Sequence, residues 1–168
     1  LKKNNISLDF ELSNNFRIFE SKKKKMKISA GTCILYKNKI LFCHPTNGSW
    51  FGSYSPAKGG VDEGESFIDA AIRETKEEIG ISISKNKILN IETPIEVLYF
   101  SKKKTIHKIV YLFIVKINDL SEIGLTSEIV PKDQLQIEEV DWAGFLTADE
   151  IKEKSFHRFL NLIELIKN

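Results

Sequence analysis

The chain has 168 residues, of which 42% are apolar and 29% charged, with a formal net charge of +2. That length closes one core of its own, and the composition is that of an ordinary globular protein, which argues against dominant disorder. The near-neutral balance excludes a surface that is basic all over, while leaving room for a local patch that meets an acidic ligand.

Taken in chain order, residues 1–25 read as an N-terminal arm or extension, because Met26 follows the lysine run 22–25, and residues 26–168 read as the domain. No apolar run reaches the roughly 18 residues of a membrane span, and the Lys-rich start leads into no secretory apolar region. A cytoplasmic protein without membrane contact is therefore expected. Residues 27–36 (KISAGTCILY) and 40–44 (ILFCH) read as two strands joined by a hairpin around Asn38. Cys33 and Cys43 show neither metal spacing nor a disulfide framework and read as reduced core thiols. Between His44 and Gly64 lies a Pro-, Gly-, Ser- and Asn-rich stretch interrupted by Trp50, Phe51 and Tyr54, which reads as a long structured loop.

Residues 66–79 read as a helix. Ser66 with Asp69 three residues on makes a capping-box pattern, and Gly80 stands where a helix-ending glycine belongs. Two strands follow at 94–100 and 105–117, the second apolar on both alternating faces at 109–115, so that it must be covered from both sides. Residues 136–145 (QIEEVDWAGF) read as a shorter strand and Thr147 with Glu150 as another capping box. Phe156, Phe159, Leu160, Ile163 and Ile166 keep the spacing of an amphipathic helix to the end. This order predicts an α/β fold, with a mixed β-sheet between helices, without internal repeats or linkers.

On the helix, Ile68, Ala71, Ile72, Thr75 and Ile79 share a core stripe, while Glu74, Glu77 and Glu78 fall within roughly a 100° arc away from it. Like charges at these spacings repel by a few tenths of a kcal/mol per pair. Arg73 offsets part of this by pairing with Glu77 or reaching back to Glu65, but one guanidinium does not neutralise the set. Oxygen ligands without Cys or His suit Mg²⁺ or Mn²⁺ and argue against zinc. His44, His107 and His157 are scattered and read as surface or core residues. A merely solvated, Glu-rich surface helix does not account for the spacing.

Gly59, Glu65, Arg73, Glu74, Glu77, Glu78, Gly80 and Ile81 match the pattern G-x5-E-x7-R-E-U-x-E-E-x-G-U, where U is aliphatic, and in this the chain resembles the Nudix hydrolase family. Thr75 departs from the pattern, and Ser55-Pro56-Ala57-Lys58 replaces the lead found in many members, of which Ala57 and Lys58 touch substrate selection. The resemblance implies an α/β/α sandwich and hydrolysis of a nucleoside diphosphate linked to another group. It implies Glu74, Glu77 and Glu78 as metal ligands with the Gly59 carbonyl, Arg73 and Glu65 as a salt-bridged support, and Glu74 as first candidate for the base. Some members use a glutamate outside the pattern as the base instead, and Glu138 and Glu139 are placed either for that role or as a solvated strand edge.

Lys58 is a candidate to meet a phosphate as a point charge, and Gly59 and Gly60 let backbone approach a ligand closely. Trp50, Phe51 and Tyr54 offer either a stacking surface for a base or packing that holds the loop down. The runs 22–25 and 102–104 are solvated surface or attract a polyphosphate or an RNA 5′ end. The expected substrate is a nucleotide or polyphosphate, with a slight lean to dinucleoside polyphosphates. Alternatives are an RNA 5′ pyrophosphohydrolase, a pyrophosphatase of (oxidised) nucleoside triphosphates, and a silent nucleotide-binding module of the same fold. Such a module has no need of the full acidic set that this chain retains.

Overall fold

The computed structural model describes residues 26–167; the proposed arm at 1–25 and its lysine run lie outside the described residues. Strands β1 (Lys27–Tyr36), β2 (Lys39–Pro45), β3 (Lys58–Gly60), β4 (Ile95–Phe100), β5 (Ile106–Ile117) and β6 (Val140–Leu146) build one mixed sheet. Its order is β4-β5-β1-β2-β6, with β3 paired to β1 off this path. Helix α1 (Phe67–Ile79) packs on one face. Helix α2 (Ala148–Lys154) and a 3₁₀ segment (His157–Ile166) pack on the other.

Strand alternation makes the two layers. Ala30 and Ile34 of β1 and Phe113 and Val115 of β5 face α1, whereas Cys33 and Leu35 of β1 and Val110 and Leu112 of β5 face the C-terminal segments. Both cysteines are free and buried, as expected, and burial pushes the Cys33 thiol up to about 12.

β1 pairs in parallel with β5 along its whole length, from Lys27↔Lys108 to Tyr36↔Ile117. Its other edge is divided. β2 holds only the hairpin end, at Leu35↔Ile40 and Tyr36↔Lys39, while β3 takes Ser29, Ala30 and Gly31. β1 and β2 therefore diverge, and the chain before β3 fills the gap between them. In that gap the Thr32 N–H donates to the Ala57 carbonyl at 3.2 Å, and the Cys43 and Ser55 backbones exchange hydrogen bonds at 2.8 and 3.1 Å.

Helix α1 begins and ends where its sequence marks it. The Ser66 hydroxyl accepts from the Asp69 N–H, and Gly80 adopts φ 70° with its N–H on the Lys76 carbonyl. The Asp69 carboxylate takes the Ser66 hydroxyl and Lys85, so the capping box is only half made, unlike the complete box at Thr147 and Glu150.

Four expectations are corrected. The stretch 44–64 contains a strand, β3, which has too few residues and too many glycines to show a period of two. Residues 137–139 form a turn, and the strand starts only at Val140. The C-terminal segment is 3₁₀, not α, although Phe159, Leu162, Ile163 and Ile166 are buried as an amphipathic face. Finally, α1 buries Ala70 and Glu78 besides its predicted stripe, because β3 and the chain around it lie over that flank.

Thr75 is fully buried, and its hydroxyl donates to the Ala71 carbonyl and accepts from Thr32 of β1, both at 2.7 Å. The polar atom is thereby satisfied between helix and sheet. Thr75→Val strands the Thr32 hydroxyl and is expected to cost about 1–3 kcal/mol in urea unfolding, with Thr32→Val, and the double variant, costing less. Equal losses for both single variants would contradict this pairing.

Candidate active site

The turn between β3 and α1 is tied to the helix by Arg73. Its Nε and Nη2 donate to the two oxygens of Glu65, both at 2.9 Å, and Nη2 also donates to the Gly60 carbonyl at 2.9 Å. Nη1 donates to Glu74 at 2.8 Å and to Glu77 at 3.0 Å. The two options for Arg73, pairing forward and reaching back, are realised together. Arg73 holds the Glu65 carboxyl below the usual carboxylate range.

The three helix glutamates sit at different depths. Glu77 is half exposed, Glu74 mostly covered, and Glu78 is 8% exposed. Helical geometry accounts for this: the Glu78 direction lies only about 20° from that of Ala71, at the rim of the core stripe. Its Oε2 accepts the Lys58 backbone N–H at 2.9 Å. Burial pushes the Glu78 carboxyl up to about 7, against the opposing influence of Lys58 and with the negative charges of Glu74 and Glu139 adding to the rise. Glu74 is also raised, by burial first, against the Arg73 hydrogen bond.

Gly59 has no room for a side chain. A Cβ there would run into the Glu74 carboxylate, so the glycine backbone rests directly against that acid. This cradle and the all-oxygen donor set fit a hard divalent cation. Among the described residues, however, no three acidic, His or Cys side chains already converge at ligand spacing. Arg73 holds the Glu74 and Glu77 carboxylates, and Glu78 is turned to Lys58.

A pocket of about 300 Å³ opens between β2, β3, the end of α1 and the turn into β6, lined by Cys43, Ser55, Lys58, Glu78, Glu138 and Glu139 among others. Glu138 and Glu139 reach it from the turn before β6. That turn is docked to the end of α1, where the Gln136 N–H donates to the Glu78 carbonyl at 2.9 Å and Gly80 leaves no space beside Gln134. Lys58 donates from Nζ to the Ser55 hydroxyl at 2.9 Å.

Other predicted residues lie apart from this pocket. Tyr54 is 3% exposed, packed between His44 and Trp142, and thus takes the packing alternative over the stacking one. Trp50 is 57% exposed and stacks on the buried His44 at 4.1 Å, while the His44 Nδ1 bonds Asp141 at 2.5 Å. Gly60 spends its carbonyl on Arg73. Lys102, Lys103 and Lys104 are exposed in the β4–β5 turn. Sequence reasoning missed Ser55, whose only signal is its place three residues before Lys58.

The family model of the NUDIX domain matches residues 26–160. No curated relative matches the chain. Among solved structures, the Ap4A hydrolase of C. elegans, in a binary complex, is similar with a TM-score of 0.59 at 24% identity, over 83% of this chain and 93% of that one. A MutT NUDIX hydrolase from Burkholderia pseudomallei gives 0.63 at 17% identity, over 85% and 99%. A bifunctional NMN adenylyltransferase/ADP ribose pyrophosphatase from Francisella tularensis, complexed with AMP and a Mn ion, gives 0.57 at 13%, over 95% and 47%. The match of the domain over most of the chain, on a mixed sheet whose first helix and the turn before it carry every charged position of the pattern, shows that the chain belongs to the Nudix hydrolase family, enzymes that act on pyrophosphate bonds.

Proposed function

We propose that the domain at 26–168 hydrolyses a pyrophosphate bond in a nucleoside diphosphate linked to another moiety, with dinucleoside polyphosphates as the favoured substrates. The observation that carries this reading is the meeting of Glu78, Lys58, Glu138 and Glu139 in one pocket beside the Arg73-held glutamates. An acidic wall and a lysine in one cleft suit a ligand that brings phosphates together with a divalent cation.

Glu74, Glu77 and Glu78, with the Gly59 carbonyl and Glu138, would hold Mg²⁺ or Mn²⁺. Bound there, the cation supplies charge neutralisation at the phosphoryl oxygens and lowers the pKa of water. Glu74, resting on Gly59, accepts the proton of the attacking water. Lys58 meets the phosphate as a fixed positive charge, and Arg73 with Glu65 keeps the glutamates oriented. The lean to long phosphate chains follows from Lys58. A triphosphorylated RNA end remains the second reading, carried by the exposed lysines at 102–104.

A panel of dinucleoside polyphosphates, nucleotide sugars, nucleoside triphosphates and triphosphorylated RNA, offered with Mg²⁺ or Mn²⁺, should yield metal-dependent phosphate products. Tight nucleotide binding without release would instead identify a silent module. Glu77→Gln, at an exposed position, should lower turnover by at least about tenfold to a hundredfold without shifting the melting temperature; full turnover across the panel would falsify the assignment. Gly59→Ala should push Glu74 aside and cost about a hundredfold in kcat, while circular dichroism stays native.

A further inference from the structure

Of the two outer edges of the sheet, one is closed and the other is open. Along β6 the segment 128–130 supplies the closure: Ile129 bridges Gly144, the Val130 N–H donates to the Ala143 carbonyl at 3.0 Å, and the Phe145 N–H donates to the Glu128 carbonyl at 2.9 Å. At the opposite side Ile88, Leu89 and Asn90 close the C-terminal half of β5. There the Leu89 N–H donates to the Ile114 carbonyl at 2.9 Å, and the Asn90 side chain accepts from the Ile114 N–H at 2.7 Å. β4 takes the rest of that edge of β5, and among the described residues no strand, bridge or loop hydrogen-bonds to the outer edge of β4 itself.

An exposed strand edge accepts another strand unless charge, proline or a bulge interrupts it. Over Ile95–Tyr99 the only such feature is Glu96, and the register shift comes at the last step, between Tyr99 and Phe100. Apolar side chains flank the edge: Ile91 before the strand, Phe100 at its end and Ile106 across the turn are 44%, 58% and 42% exposed. The charges around the strand are sorted by end. Glu92 and Glu96 stand at its start and Lys102, Lys103 and Lys104 in the turn after it, all exposed. Among the described residues none of the five makes an ion pair, whereas Lys39, Lys85, Lys87, Lys152, Lys154 and Lys167 each make one. A parallel partner strand of the same kind would set lysines against lysines. An antiparallel one, related by a two-fold axis through the middle of β4, sets the acidic start of each strand beside the lysine turn of the other, so the surface is complementary to itself.

We propose that the β4 edge is the interface between two copies of this chain, paired antiparallel into one continuous sheet across a two-fold axis near Val97 and Leu98. In the sheet order β4-β5-β1-β2-β6 the pocket, beside β2 and the turn into β6, lies toward the other end and stays open in both copies. The interface stands whatever the substrate is.

Sedimentation equilibrium of the full chain should show a monomer-dimer equilibrium with a dissociation constant of about 1–100 µM, as suits a short strand pair. Leu98→Lys, which brings a lysine from each copy to the axis, should weaken it at least about tenfold. Glu92→Lys and Lys103→Glu should each weaken it about threefold to tenfold, because each contact occurs twice by symmetry. The two reversals together in one chain should restore most of the loss, which a dimer through another surface would not show. Hydrogen exchange identifies the occupant of the edge: the outward amides of β4 should slow as concentration rises through the dissociation constant. A monomer at every concentration overturns the proposal. So does β4 protection that is independent of concentration, which would assign the edge to the chain's own residues 1–25. A dimer untouched by Leu98→Lys and by both charge reversals overturns it as well. The reversals, at exposed positions, keep the test decisive if Leu98→Lys does not fold.

Discussion

Arg73 donates from all five of its N–H groups, to both oxygens of Glu65, the Gly60 carbonyl, Glu74 and Glu77, and so clamps the turn after β3 onto the first half of α1. A planar fork of donors is what this requires, and a lysine with its single compact ammonium cannot span the same partners. The clamp also sets the position of Gly59, next to Gly60, against Glu74. Carboxylates that repel one another on an isolated helix are thereby held in fixed directions, and Glu65, Glu74 and Glu77 inherit their geometry from one guanidinium.

The second constraint is the incomplete pairing of β1. β5 uses one edge of β1 fully, but the other is shared between a two-pair hairpin end and the three residues of β3. A sheet with complete pairing would have closed over the space where Lys58 and Glu78 now sit. Their polar atoms tolerate burial because partners are at hand: the Lys58 N–H for Glu78, the Ser55 hydroxyl for the Lys58 ammonium. The end of α1, docked by the Gln136 N–H and the bare Gly80, then brings Glu138 and Glu139 to the same opening.

Much of this was readable where local chemistry dictates structure. Ser66 and Gly80 mark the helix ends by capping, the apolar run at 109–115 marks a strand covered on both faces, and the spacing from Gly59 to Ile81 marks the site. What escaped depends on contacts between distant segments. β3 carries two glycines in three residues and has no strand signature; only the edge of β1 makes it a strand. Helical periodicity sets Glu78 at the rim of the core stripe, but the cover that β3 lays over it is a contact that periodicity does not encode. The sequence leaves Tyr54 with a stacking reading beside the packing one, which its contacts with His44 and Trp142 decide, and Lys58 meets Phe159 only because the C-terminal segment folds back over the sheet.

The net charge of +2 conceals a local concentration of both signs. Glu78, Glu138 and Glu139 line the opening together with Lys58, yet among the described residues no ion pair joins the Lys58 ammonium to Glu78. Glu78 instead takes the backbone N–H of Lys58, and the ammonium turns to Ser55 and the Phe159 ring. Opposite charges held without a direct ion pair in a poorly solvated place collect less attraction than a closed pair would. On the proposed function, the open arrangement leaves the acids and the lysine available to a ligand that carries negative oxygens and arrives with a divalent cation.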